Sequence, residues 1–456
     1  MDMMSRQLAR FAVRLKYEDL PPRAIDEAKR FLLDSMGCAL GGVRTHDARI
    51  MREFIEEEGG RAEATLIGTR RKAPATWATL YNALVVRALD YNDIYWKADP
   101  SHPSDILPAA MSMAERVGAG GREVILGIVI GHELEMRFCE AAEPGIRERG
   151  WHHASLTGFV SPIVAGKVLG LTEDQMVHAI GISGSHTLTL GAVTAGKLTM
   201  MKNTVDPIAT WQGVIAALWA QKGFHGPEHV IDGKEGLFHC LGKAWLPDKL
   251  TGGLGETFKI QDCSMKFFPT EALTHTPLSA ALELRNKHGI DPASIESITV
   301  KTVRRAVDIL CDPSKYRPTS RETADHSLPY CIGVALMDGK VTPESFDEKR
   351  FTDPKLLDLI QKVKGVGDEE IERNFPRLYT CDMTIAVKGG KSYQCRLDYP
   401  KGDPRNPLTA AELEGKFMSL AEPVVPAGKA KEIASIIMGL EKEKGLARLM
   451  EAMVAA

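Results

Sequence analysis

Near residue 260 of this 456-residue chain the apolar residues change their period, and that change constrains the fold more than any other feature. Before it, apolar residues recur at helical spacing, as in Ile25, Ala28, Phe31, Leu32 and Met36, a run that ends at Gly41-Gly42. Residues 74–90, 105–117 and 123–138 read the same way, and the last is apolar on nearly every side, which places it centrally. Thr172 to Gln175 spells a capping box, and the helix through Ala216 to Ala220 stops at Gly223. After it, Ile298, Val300 and Thr302 alternate with polar neighbours, as do Cys381, Met383, Ile385 and Val387. Gly389-Gly390 then precedes Tyr393, Cys395, Leu397 and Tyr399, the pattern of a hairpin with a primed turn. Helices near 277–288, 328–338 and 354–363 intervene, and helix resumes from Thr409, including 427–454. Residues 245–256 read as a linker.

The expected fold is therefore mainly α, a large all-helical domain plus a smaller α+β domain. Residues 1–262 and 405–456 form the first and 263–404 the second. A chain of this length is too long for one ordinary core.

Charge narrows the partners. Lys plus Arg is 57 against 60 Asp plus Glu, a net charge of −3, so a general nucleic-acid binder is disfavoured. No apolar stretch is long enough to span a membrane, and the start lacks the order of a signal peptide, which gives a cytoplasmic expectation. The eight cysteines form no Cys-x-x-Cys pair. They read as buried structural thiols, not as a zinc or iron–sulfur site, so neither metal nor cofactor is expected.

Five short segments place His, Lys, Asp or Tyr beside Pro or Gly where a loop enters a helix. They are Asp90-Tyr91-Asn92-Asp93 with Ser101-His102-Pro103-Ser104-Asp105, then Gly150 to Ser155 around His152, then Met201 to Pro207 around Lys202. Lys266 to Pro277, including His275, and Asp325 to Tyr330 complete the set. Ser104 or Asp105 would cap the helix after His102, and Pro207 would sit in a first helical turn. Helix N-termini favour anions, and added His and Lys suit a polycarboxylate. Imidazole, and a Lys or Tyr shifted by burial, could move protons there. Such a site fits elimination, decarboxylation or epimerisation, although spacing alone names no reaction. His132, inside the apolar helix, reads as a core histidine, and His153 as a support for its neighbour.

Three leads fail. Asp90 to Asp93 has no second Asp-rich partner of the kind that prenyl-transfer enzymes use. Gly181-Ile182-Ser183-Gly184-Ser185 lacks the spacing and the preceding strand of a nucleophile elbow. Gly118 to Gly121 joins two helices and is no dinucleotide loop.

Across nearly its whole length the chain resembles the MmgE/PrpD family of 2-methylcitrate dehydratases, cis-aconitate decarboxylases and iminodisuccinate epimerases. The resemblance rests on Leu89-Asp90-Tyr91-Asn92-Asp93 with His102-Pro103-Ser104-Asp105, Gly131 to Arg137, and Gly150-Trp151-His152. It continues in Lys202 ahead of Gly213 to Ala217, Gly223 to Pro227, Lys266 to His275, and His326 to Tyr330. It implies a helical domain rejoined by the C-terminal helices, an α+β domain, an active site between them, a homodimer and no iron–sulfur cluster. It also implies site residues Asp90, His102, His152, Lys202, Lys266, His275 and Tyr330, with Asn92 and Ser104 as substrate contacts. The departures are Ile94 and Ala154, where threonine is frequent, and Thr204-Val205-Asp206-Pro207 after the lysine. The activity so implied is dehydration of 2-methylcitrate or a citrate-like acid. Decarboxylation of cis-aconitate or epimerisation of an iminodiacid is the alternative. Lys202, Lys266 and His275 would hold carboxylates, and His102 or His152 would be the base. Tyr330 or the other imidazole would help the leaving group, and Asp90 would orient or charge a histidine.

Overall fold

A computed structural model describes residues 3–195, 198–241 and 244–456. The chain divides into two compact units. The first comprises Met1–Gly196, Met200–Cys263 and Thr409–Ala456, and the second Lys197–Thr199 and Ser264–Leu408.

The first unit is built on buried helices. Pro22–Gly42, Ala75–Arg87, Gly121–Ala141, Ala154–Leu169 and Met201–Gln221 pack side by side. Ala154–Leu169 is buried at almost every position, as a run with no charged residue before Lys167 allows. Helix Met201–Gln221 lies close against it because Gly213 faces Ser161, where a Cβ would collide. That close approach brings the start of one helix beside the first turns of the other. The capping box at Thr172 forms as read, with Gln175 N–H donating to Thr172 Oγ1 at 3.3 Å.

Residues 245–256 are not a linker. Pro247–Thr251 is a helix that packs on Gly121–Ala141, and Leu250 is fully buried. Arg137 holds it there, donating from Nη1 to the carbonyl of Gly252 at 2.7 Å and from Nε to Glu133 at 2.5 Å. Glu133 in turn accepts from the Lys259 N–H at 2.6 Å. Glu133 and Arg137 of the 131–137 motif are thus a structural clamp.

The C-terminal helix Ala410–Ala421 packs on Pro22–Gly42. Lys416 Nζ stands 2.6 Å from Asp34 Oδ1, donates to the Tyr91 carbonyl at 2.7 Å, and lies 4.0 Å from the Tyr91 ring centroid. Burial pushes the Asp34 carboxyl up, against the pull of Lys416. Replacing Lys416 with Ala would leave that carboxylate buried and unpaired, so a loss of about 3–5 kcal/mol is expected in urea unfolding. The double change Lys416→Met with Asp34→Leu should recover most of it, because it removes both charges. The 427–454 helix is broken, running as Lys429–Met438 and Ala447–Ala452, with Gly439 and Gly445 between them.

The second unit is α+β. Its four-stranded sheet runs in the order Lys391–Leu397, Cys381–Val387, Ile295–Thr302, Val363–Gly367. The first three are antiparallel and the last lies parallel to Ile295–Thr302. Cys381, Met383, Ile385 and Val387 bury one face, on which helix His275–His288 packs, with Leu328–Asp338 against that helix. Gly389 and Gly390 take φ of 91° and 78°, the left-handed backbone the turn requires. Val363–Gly367 was not read from the sequence, because Gly365 and Gly367 mask its alternation.

Seven of the cysteines are buried or half-buried, but Cys240 is exposed, contrary to the expectation for all eight. Among the described residues no helix is long and apolar enough to cross a membrane.

Candidate active site

Helix Ala75–Arg87 ends in a turn that forces Asp90 to a φ of 49°, one of two such non-glycine positions among the described residues. Left-handed backbone outside glycine is costly and concentrates where function holds it. The turn buries Asp90 between two cations. Arg87 binds one carboxylate oxygen, and Lys202 Nζ stands 3.0 Å from Oδ2. Asp90 therefore orients Lys202, itself buried in the first turn of Met201–Gln221. That helix begins six residues earlier than Pro207, so the proline sits inside it and not in its first turn.

The segment after Asp90 is tied to the one after His102. Asn92 Nδ2 donates to Ser104 Oγ and to Asp105 Oδ1, both at 2.9 Å. Ser104 Oγ donates to Asp93 Oδ1 at 2.6 Å, and its N–H reaches Asp93 Oδ2 at 3.0 Å. Neither Ser104 nor Asp105 caps helix Leu107–Val117, which is entered through a 3-10 turn, Pro103–Ile106. Asn92 and Ser104 are both fully buried in this web, and it fixes where His102 lies.

The two mapped imidazoles have opposite tautomers. His102 Nδ1 lies 2.6 Å from the Asp93 carbonyl, which can only accept, so Nδ1 carries the proton and in the neutral ring Nε2 has none. His152 Nδ1 instead accepts the Ala154 N–H at 3.2 Å, so the proton of the neutral ring is on Nε2. His152 lies two residues before the first turn of Ala154–Leu169, which supplies that N–H. Burial first, then the neighbouring His153, holds His152 well below the usual histidine range, so it is uncharged at pH 7.

His153 links the imidazoles. Its ring centroid lies 3.9 Å from that of His152 and 5.5 Å from that of His102. Its Nε2 stands 3.4 Å from Asp206 Oδ1, one turn along the helix from Lys202. Burial alone would raise Asp206, but His153, His152 and Arg87 together pull its carboxyl below the ordinary range. Asp105 goes the other way: burial raises it well above that range, with Asp206 and other carboxylates adding to the push. The two carboxyls are thus pushed apart, Asp206 toward its ionised form and Asp105 toward its neutral one. Two of the three places where the chain departs from the resemblance meet here, since Ala154, Val205 and Ala209 form one apolar cluster.

The first unit therefore gathers Asp90, Asn92, His102, Ser104, His152 and Lys202 into one charged interior. Reading along the sequence missed Asp206 as a partner of His153, and also Glu135. Glu135 is fully buried beside the site, accepts from Ser101 and from Thr157 Oγ1 at 2.8 Å, and is pushed up to about 8 by burial. Two carboxyls close together, Glu133 and Glu135, inside an otherwise apolar stretch of helix were the available signal. Among the described residues, two buried sets have donor atoms within 4.8 Å of one another, as a metal would need: Asp93, His132 and Cys263, and His152, His153 and Asp206. In the first, His132 reads as the core histidine expected, with Nδ1 on the Ile128 carbonyl at 3.0 Å and Nε2 3.2 Å from Asp93.

In the second unit, Lys266 and His275 are buried, and His275 Nε2 lies 3.3 Å from the Thr270 carbonyl at the start of His275–His288. Tyr330 is fully buried against Phe346 and Phe351, and its hydroxyl donates to the Ser345 carbonyl at 2.8 Å. That is the placement of a core tyrosine whose proton is already engaged.

Residues 6–248 match the MmgE/PrpD N-terminal domain and residues 268–442 the MmgE/PrpD C-terminal domain. The chain belongs to the MmgE/PrpD family. It is 26% identical to the cis-aconitate decarboxylase of Homo sapiens over 94% of this chain and 89% of that protein. It is 25% identical to the cis-aconitate decarboxylase of Aspergillus terreus over 98% and 95%. It is 24% identical to the 2-methylcitrate dehydratase of Cupriavidus necator over 86% and 84%.

Proposed function

We propose that this MmgE/PrpD protein is a lyase that dehydrates 2-methylcitrate, or a close hydroxy-polycarboxylate, to the unsaturated acid by side-chain acid–base chemistry. The observation that carries this reading is the opposite tautomers of the two imidazoles. Elimination needs one group that takes a proton from the carbon next to a carboxylate and another that gives a proton to the departing hydroxyl. His102, with no proton on Nε2, is the base. His152, with Nε2–H, is the donor: that proton goes to the departing hydroxyl as water forms, and the one His102 took from carbon then restores the neutral ring.

Lys202, aligned by Asp90, neutralises the carboxylate whose charge grows as the carbon loses its proton. Lys266 and His275 are assigned the remaining carboxylates by their motif positions. Asn92 and Ser104 position His102 and are not assigned a ligand contact, because their polar atoms bond Arg87, Asp93, Asp105 and each other. Tyr330 is assigned to packing. No step in this scheme requires a metal.

Decarboxylation of cis-aconitate is the second reading, favoured by the longer span over which the decarboxylase relatives match. There His152 would return the proton to the carbon that loses carbon dioxide. Proton NMR of the purified protein with 2-methylcitrate, citrate and cis-aconitate separates the two. Loss of the 2-methylcitrate methine signal, with a conjugated alkene product, is expected. Release of carbon dioxide from cis-aconitate, with 2-methylcitrate untouched, would replace the first reading by the second.

A further inference from the structure

Beside the loop that carries His102, three buried side chains from separate parts of the chain bring their donor atoms within 4.8 Å of one another. They are Asp93, His132 from the middle of helix Gly121–Ala141, and Cys263, the last residue of the first unit before the chain passes to the second. All three are buried, Asp93 and His132 completely. One of them is aimed into the cluster without a partner. His132 Nδ1 lies 3.0 Å from the Ile128 carbonyl, which can only accept, so in the neutral ring the lone pair is on Nε2. That nitrogen makes no hydrogen bond among the described residues. Asp93 Oδ2 is 3.2 Å away but off the line of a ring N–H, so an imidazolium–carboxylate hydrogen bond does not account for the contact.

We propose that Asp93, His132 and Cys263 bind a divalent ion of the zinc class, as a structural site that steadies the loop next to the base. Its link to catalysis rests on the reading of His102 as that base; the site itself does not. The spacing fits a tetrahedron. Bonds of about 2.0 Å to oxygen and nitrogen and about 2.3 Å to sulfur give O···N and S···O edges of about 3.3 Å and about 3.5 Å. Here Asp93 Oδ2 to His132 Nε2 is 3.2 Å, and Cys263 Sγ to Asp93 Oδ2 is 3.7 Å. The Ile94 carbonyl, also 3.7 Å from Sγ, offers an oxygen toward the fourth position. The charges balance as well. The thiol loses its proton to solvent as the metal binds, and one thiolate with one carboxylate cancels the ion. A thiolate beside an imidazole selects zinc over the hard ions magnesium and calcium. The surrounding contacts are those that hold ligands in place: His132 donates Nδ1–H to a backbone carbonyl, and Asp93 accepts from Ser104 Oγ and N–H. No Cys-x-x-Cys spacing marks such a site, because its ligands come from separate segments. The Asp93 carbonyl also takes the His102 Nδ1 proton, so an ion on the Asp93 side chain steadies the group that sets the His102 tautomer.

The test counts metal in the whole chain, free of any tag, made in cells grown with zinc or with cobalt so that the ion is present as the protein folds. Elemental analysis should give about one zinc per chain, and this protein should melt at a higher temperature than the same chain made without zinc. Cobalt in its place should give the near-ultraviolet charge-transfer band of a cobalt–thiolate bond and the strong visible bands of a tetrahedral ion. In Cys263→Ala that band should vanish and bound zinc should fall by about tenfold or more, since even a change outside the ligands costs that much affinity. Cys240→Ser, which removes the exposed thiol, should leave the band as it is. The cluster of His152, His153 and Asp206 has no sulfur, so cobalt held there gives no such band. A chain that carries neither metal, cobalt without the thiolate band, or a band lost in Cys240→Ser overturns the proposal. The wild-type and Cys240→Ser spectra decide the matter even where Cys263→Ala fails to fold. Metal and spectrum are read without substrate, so failure to turn over any polycarboxylate would count against the functional reading alone.

Discussion

His152→Gln is expected to lower kcat/KM on the native polycarboxylate by about 10²–10⁴-fold, the usual worth of a positioned general acid. Glutamine keeps an N–H donor at similar reach but cannot give up its proton, so the loss isolates proton transfer from hydrogen bonding. The partner change His102→Gln should cost as much and should act differently on pH. His102 must be unprotonated to act, so the wild-type rate falls on the acid side. That limb should vanish when the base is gone and the residual rate no longer depends on its charge. Lys202→Ala should reduce kcat as well as raise KM, because its charge matters most when the substrate carbon carries negative charge. Equal kcat/KM in wild type and His152→Gln would remove His152 from the chemistry.

Glu135 has the second large expected effect, on stability. Its carboxyl is raised from an ordinary 4.5 to about 8 in the folded protein, burial being the main cause. The sign follows from which state holds the proton. Below about pH 4.5 both folded and unfolded chains keep it, and the contribution to stability is fully present. As pH rises toward 8, the unfolded chain ionises while the folded one does not, and stability is lost, by about 5 kcal/mol at most. Glu135→Gln cannot ionise. The difference in unfolding free energy between wild type and Glu135→Gln should therefore change by about 3–5 kcal/mol between pH 5 and pH 9, read from urea melts. A difference that stays flat across that range would show Glu135 ionised in the folded protein. Asp206, with its depressed carboxyl, contributes in the opposite direction and only on the acid side, so it does not mimic this slope.

Much of the fold could be read from the chain. Where one interaction dominates locally, as in the apolar run within Gly121–Ala141, the Thr172 capping box or the alternation of Cys381 to Val387, spacing alone predicts the element. It fails where distant partners decide. Residues 245–256 look like a linker because Gly252, Gly253 and Gly255 crowd together, yet Arg137 supplies the hydrogen bonds that make the segment part of the first unit. Pro207 looks like a helix start, but a tightly packed neighbour sustains the helix on both sides of it. The candidate site divides along the same line. His102, His152, Lys202 and Asp90 are legible through the motifs of the family resemblance and their places beside Pro or Gly near helix starts. Asp206 and Glu135 lie within helices and are notable only once burial is known. The tautomers, which separate base from acid, depend on the Asp93 carbonyl and the Ala154 N–H, and no side-chain pattern reports backbone direction.

The central claim is that His102 and His152 move protons on a polycarboxylate, and deuterium exchange tests it most directly. The protein would be incubated in D₂O with 2-methylcitrate, citrate and cis-aconitate in turn, and the acids weighed by mass spectrometry. Wild type should place one solvent deuteron on carbon, in recovered substrate through the reverse reaction or in the product itself, and His102→Gln and His152→Gln should not. No deuterium in any of the acids, or equal uptake with both variants, would contradict it.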